Sequence, residues 1–150
     1  MTREEFIEIL DKKRYSYEIE GDKIVVTHKG GVYLNSLTSL SPGVVFENGG
    51  SVNLDRLTSL PTGVEFKNEW SVYLRALTSL PPGVVFKNGW HVYLRYLTSL
   101  PSDVEFRNGG DVSLDYLLGG NFTKWKGNIK GIDSKRLLNK MISIGLLDKR

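Results

Sequence analysis

The chain has 150 residues, of which 40% are apolar, 25% charged and 11% aromatic, enough for one sizeable core and too apolar for intrinsic disorder. Twenty Lys and Arg against 17 Asp and Glu leave a formal charge of +3, which argues against an acidic nucleic-acid mimic without making a strongly basic binder. The absence of cysteine excludes disulfides, zinc-thiolate and iron-sulfur sites and a cysteine nucleophile. In chain order, the start from Met1 to Lys13 is too charged for a signal peptide, and no apolar run reaches the about 18 residues of a membrane helix. The expectation is a soluble, cytoplasmic protein. Thr2 followed by Glu5 is a capping-box pattern, and Phe6, Ile7 and Leu10 share one face of a helix expected from Arg3 to Lys13. Tyr15 to Glu20 and Lys23 to Thr27 flank Gly21-Asp22 and read as a hairpin. Ile24, Val26 and Gly30 keep the phase of Val44, Phe46 and Gly50, so this hairpin is expected to be a degenerate first rung of a repeat that begins in full at Gly31.

From Gly31 to Gly110 the chain aligns with itself without a gap at a period of 20: GVYLNSLTSLSPGVVFENGG, SVNLDRLTSLPTGVEFKNEW, SVYLRALTSLPPGVVFKNGW and HVYLRYLTSLPSDVEFRNGG, then a truncated DVSLDYLLGG. Six apolar columns recur: Val32/52/72/92/112, Leu34/54/74/94/114, Leu37/57/77/97/117, Leu40/60/80/100, Val44/64/84/104 and Phe46/66/86/106. One such unit cannot close a core, so stacked neighbours must supply it. The V-x-L and V-x-F pieces carry the period-two signature of short strands. T-S-L-P and N-G-G or N-G-W are the two corners, the second with a turn chemistry that admits positive φ. The expected architecture is mainly β, a right-handed parallel β-solenoid of 20-residue leucine-rich-repeat-like units. A helix and hairpin over residues 1–30 cap its N-terminal end, the solenoid occupies 31–118, and a basic helical cap covers 119–150 in one folded unit. In that last segment Ser134 is an N-cap candidate, with Leu137, Leu138, Met141 and Ile142 inward.

The columns Asn48/68/88/108, Thr38/58/78/98 and Ser39/59/79/99 read as structural, because turn amides and hydroxyls satisfy local backbone and no base accompanies them. His28 and His91 lie three repeats and three positions apart, so at about 4.8 Å per rung they cannot share a metal or a proton relay. Asp55 and Asp115 are also three repeats apart, roughly 14 Å by the same spacing and beyond the reach of a glycosidase carboxylate pair. The glycines follow turns and lack a phosphate-loop context. A non-enzymatic protein without cofactor or metal is the resulting expectation.

The LTSLPTGVEFKN and LTSLPPGVVFKN units resemble the short, 20-residue leucine-rich repeats of bacterial secreted effectors, and repeat proteins of bacteria and phages built on L-T-S-L-P-x-G-V-x-F-x-N-G-G. The resemblance spans Gly31 to Leu118 and implies a protein-interaction scaffold that grips its ligand through the outward residues of the V-x-L strands. Leucine at positions 37, 57, 77 and 97 stands where such repeats carry an asparagine ladder, so a straighter, β-helix-like stack is as open as a curved horseshoe. The ubiquitin-ligase activity of some effectors needs a cysteine and is not implied.

Variable outward columns are where a site can form. Repeats three and four, each with the Trp just before it, place Trp70, Tyr73 and Arg75 one rung below Trp90, Tyr93 and Arg95, with His91, Tyr96 and Tyr116 alongside, where flanking repeats hold Gly50, Asn53, Gly110 and Ser113. Trp, Tyr and Arg gathered in one patch have the composition of interface hot spots. The competing reading is a self-stabilising ladder, with Asp55 neutralising Arg75, Asp115 neutralising Arg95, and Tyr-on-Tyr and Trp-on-Trp stacking. A second feature is residues 120–150, where eight Lys or Arg against Asp133 and Asp148 give 8 − 2 = +6. There Lys124, Trp125, Lys126 and Lys130 are candidates for anion or nucleic-acid contact, against a solvated helix face as the plainer account. The function expected is a non-enzymatic binding module facing a protein partner, with a phage-type inhibitor of a host or defence protein as its subtype. The alternative is a nucleic-acid or nucleotide binder using the same aromatics; no membrane partner is expected, and the oligomeric state is open.

Overall fold

Thr2 starts the first element by accepting the Glu5 amide on Oγ1 at 3.1 Å, which satisfies one of the donors a helix N-terminus leaves free. In the computed structural model, which describes residues 1–101, 104–114 and 116, this helix, α1, spans Arg3–Lys12 and buries Phe6 and Leu10. It stops in a Schellman turn. Arg14 takes φ of 59°, its amide donates to Asp11 O at 3.1 Å, and the Tyr15 amide donates to Leu10 O at 2.9 Å. Tyr17 then donates its hydroxyl to Asp11 at 2.8 Å, and that bond, with some burial and the carboxylate's charge, raises the phenol's pKa above its usual value.

The hairpin pairs β1 (Tyr17–Glu20) with β2 (Lys23–Val26) antiparallel around Gly21, whose φ is +60°. β2 next pairs in parallel with β4 (Val44–Phe46), setting Ile24 against Val44 and Val26 against Phe46. The hairpin is therefore the first rung, in the phase its apolar residues require. Each later coil contributes a strand to each of two sheets. The first sheet continues through β6 (Glu65–Phe66), β8 (Val85–Phe86) and β10 (Glu105–Phe106). The second stacks β3 (Val32–Tyr33), β5 (Val52–Asn53), β7 (Val72–Tyr73), β9 (Val92–Tyr93) and β11 (Val112–Ser113). In both sheets every later pair joins a residue to the one 20 positions on, as Val72 to Val92 and Phe66 to Phe86. The protein is thus mainly β, a parallel β-solenoid with a helix at its N-terminal end. Because hydrogen-bonded ladders run along both sides of the coil, both sides rise by the same strand spacing of about 4.8 Å, and the wedge that bends a horseshoe does not arise.

The repeated apolar columns form one continuous core. Its centre is a column of phenylalanines, Phe46, Phe66, Phe86 and Phe106, with successive centroids 5.4, 5.3 and 5.4 Å apart and ring planes within 9°. Leu57, Leu77 and Leu97 are buried whereas Leu37, on the first full rung, is only partly so.

The corners depart from the sequence expectation in one respect. Positive φ falls in the proline corner, at Gly43, Gly63 and Gly83 (+72°, +79° and +75°), and not at the N-G-G or N-G-W glycines. Those are small for another reason: a Cβ on Gly49 would run into the carbonyl of Lys29 below, and one on Gly89 into that of Glu69. The asparagine column is structural as expected. Asn48, Asn68, Asn88 and Asn108 donate Nδ2 across a rung to Gly30, Gly50, Trp70 and Trp90 carbonyls at 3.0–3.1 Å. On the proline side, Thr58 and Thr98 donate their hydroxyls to the carbonyls of Thr38 and Thr78 at 3.2 and 3.0 Å. The expected C-terminal cap over 119–150, including Ser134 and its apolar positions, lies outside the described residues.

Candidate interaction face

Strand alternation turns Val72 and Leu74 into the core, and so turns Tyr73 and its column out from the second sheet. Read across rungs, the outward column is Tyr33, Asn53, Tyr73, Tyr93, Ser113; before it run Ser51, Ser71, His91, Asp111, and after it Asn35, Asp55, Arg75, Arg95. Several of these side chains accept the amide one rung on. Ser51 Oγ takes Ser71 N at 3.3 Å, Asp55 Oδ1 takes Arg75 N at 3.2 Å, and His91 Nδ1 takes Asp111 N at 2.9 Å.

Six of the residues singled out, Trp70, Tyr73, Arg75, Trp90, His91 and Tyr93, come together. Tyr73 and Tyr93 stack with centroids 4.7 Å apart and planes 10° apart. Arg75 lies against both, its Cζ 5.0 and 5.3 Å from the two ring centroids, and pairs with Asp55 Oδ2 at 3.6 Å. That half of the self-stabilising ladder therefore forms, and its energy is modest because the Arg75 side chain is 46% exposed. Trp70 and Trp90 do not stack face to face: they meet edge to face at 6.5 Å and 64°, the arrangement that aromatic quadrupoles favour. Trp90 also contacts the His91 ring at 4.7 Å, and His91 stands at 71° to Tyr93. Arg95 turns the other way, with Cζ 5.6 Å from the Tyr96 ring. Tyr116 continues the pairing through its amide to Arg95 O at 3.0 Å. Asp115, the expected partner of Arg95, and Lys124, Trp125, Lys126 and Lys130 lie outside the described residues.

Exposure separates the floor of this face from its crest. Tyr73, Tyr93 and His91 are half-buried, whereas Trp70, Trp90, Tyr96 and Tyr116 are 55%, 46%, 50% and 42% exposed. Sequence reasoning passes over Tyr33, at 56% the most exposed large apolar residue among the described residues. It shares the Tyr73 column, but Asn53 separates the two, and its phenol folds back over Gly31, where a Cβ would meet the hydroxyl at 2.7 Å. Its amide is held by the Tyr15 hydroxyl at 3.0 Å, which caps the edge of the second sheet.

Among the described residues no group of three or more His, Asp or Glu is placed to hold a metal, and no helix is long and apolar enough to cross a membrane. His28 is occupied at the N-terminal end, against Tyr15 at 4.9 Å and accepting Ser16 N at 3.4 Å. Compared with known proteins, the chain matches no family model, no curated sequence and no solved structure.

Proposed function

We propose that this chain is a non-enzymatic binding module whose second sheet and adjoining corners present an aromatic and arginine face to a protein partner. The observation that supports it most directly is the exposure of Trp70, Trp90 and Tyr96 at columns held by Gly50, Gly110 and Ala76 on neighbouring rungs. The coil closes with glycine or alanine at these positions, so the large rings are not needed to build it. Exposed Trp and Tyr beside Arg95 have the composition from which interface energy is mostly drawn. The Tyr73–Tyr93 stack and the Asp55–Arg75 pair form beside them, Trp90 being joined to the stack through His91, so ladder and face coexist. Similarity of the 20-residue unit to short bacterial leucine-rich repeats supports a scaffold role, and its similarity to phage repeat proteins supports, within that role, an inhibitor of a host or defence protein.

The test is affinity capture from a bacterial lysate, with and without nuclease, by the full chain and by the variant Trp70→Gly, Trp90→Gly, Tyr96→Ala. The expected result is a nuclease-resistant protein partner whose affinity falls at least about a hundredfold in the variant, while thermal unfolding stays cooperative. Equal capture by the variant overturns the reading. Capture abolished by nuclease replaces it with nucleic-acid binding through the same aromatics.

A further inference from the structure

The tyrosine stack ends abruptly. Tyr93 is in register with Ser113 on the fifth rung, and because the Tyr73 and Tyr93 planes are nearly parallel, the second face of Tyr93 looks toward that rung with no ring of its own column upon it. A depression of about 210 Å³ lies at this place, lined by His91, Tyr93, Asp111 and Ser113. His91, at 71° to Tyr93, stands at one side of it. The polar wall is Asp111, whose peptide groups are already used by the fold: its amide donates to His91 Nδ1, and its carbonyl accepts Val92 N at 3.0 Å and Asn108 Nδ2 at 3.5 Å. Its carboxylate is exposed and has neither ion pair nor hydrogen bond among the described residues.

The same column shows what such a combination holds. Two rungs below, a guanidinium, that of Arg75, lies against the tyrosine rings with a carboxylate, Asp55, at 3.6 Å. A planar, delocalised cation both stacks on an aromatic face and forks toward a carboxylate, which a compact ammonium cannot do. The chain's next guanidinium, on Arg95, is turned to Tyr96 instead. An anionic ligand is disfavoured here by Asp111 itself.

Building on the binding face proposed above, we infer that the slot between Tyr93 and Asp111 takes the guanidinium of an arginine side chain carried by the protein partner. Tyr93 supplies the stacking face and Asp111 the opposing charge. The slot thereby selects arginine over lysine at one position of the partner's surface.

The experiment titrates the full chain with N-acetyl-arginine amide and follows backbone amides by two-dimensional NMR. Shifts should cluster at His91, Tyr93, Asp111 and Ser113 and saturate on the order of millimolar, as befits one side chain. N-acetyl-lysine amide should bind at least about fivefold more weakly. Asp111→Asn, which preserves the backbone bonds at that position, should weaken arginine binding about tenfold or more, and Tyr93→Phe, which keeps the ring, should not. Equal affinity for lysine, undiminished binding by Asp111→Asn, shifts confined to other faces, no shifts at all, or preferential binding of adenosine monophosphate in the slot would each overturn the inference. Failure here is separable from failure of the binding face. A partner lost with the Trp70, Trp90, Tyr96 variant yet fully retained by Asp111→Asn leaves the face standing and removes the slot.

Discussion

Asn88 is 1% exposed, and its Nδ2 lies 3.0 Å from Trp70 O, 3.3 Å from Trp90 O and 3.0 Å from His91 O. Two amide hydrogens thus serve three carbonyls, two of its own turn and one of the rung below, while Oδ1 has no partner among the described residues. The side chain is there as a donor. Asn88→Ala should cost about 3 kcal/mol or more in urea unfolding, because buried acceptors left unpaired cost about 1–3 kcal/mol each. Asn88→Asp should cost more than alanine, since a carboxylate among three carbonyls has nothing to donate and must be buried charged or protonated. A smaller loss for Asp than for Ala would show that Oδ1, and not Nδ2, makes the important contact. That the column is structural is legible from its strict period. The threefold donation is not, because a repeating asparagine is equally compatible with amides bonded to one another along the stack.

At the scale of the element, a strand of two or three residues has little intrinsic stability, and most of these strands are that short. What holds them is the column in which each inward residue sits. Phe86 has Phe66 at 5.3 Å and Phe106 at 5.4 Å on its two faces, so Phe86→Ala removes two ring contacts at once and should lower stability by about 3–5 kcal/mol. An unshifted urea midpoint would mean that the phenylalanine column is not what closes the coil. Apolar columns and strand alternation are readable from the amino-acid sequence alone because a period of two inside a period of 20 leaves few ways to bury Val72, Leu74 and Phe86 together. The corner glycines are not. Gly89 and Gly63 look alike in sequence, yet one is required by a carbonyl 20 residues earlier in the chain and the other by its own φ of +79°, and only the stacking of the coils distinguishes those causes.

For the whole molecule, identical register in both sheets makes the rung an interchangeable part. Deleting residues 71–90 should leave a cooperatively folded protein in which the coil of Ser51 to Trp70 stacks directly on that of His91 to Gly110, with its m-value reduced in proportion to the surface removed. Loss of a cooperative transition by circular dichroism would contradict that modularity. The hairpin's place as a first rung is legible from the phase of Ile24 and Val26. The lack of horseshoe curvature is not settled by the repeat pattern, since it depends on whether V-x-F pairs as a continuous sheet, and that is a property of neighbouring coils. The composition of the candidate face is readable for the same reason as the core, as departures from a period. The direction each group takes is not: Arg75 and Arg95 share a column, yet one turns to the tyrosine stack and the other to Tyr96.

The rung-by-rung pairing also sets how the molecule yields to force. Along the repeats each coil is hydrogen-bonded to the coils before and after it, so tension applied at the two ends is borne by one inter-rung interface at a time. Yielding then proceeds by peeling from an end, each event freeing 20 residues and adding roughly 66–72 Å of contour at about 3.3–3.6 Å per residue. The phenylalanine column gives the three interfaces between Phe46, Phe66, Phe86 and Phe106 a similar strength, so the events that open them should need similar loads. The protein would behave less as a bolt that shears once than as a ratcheted tether.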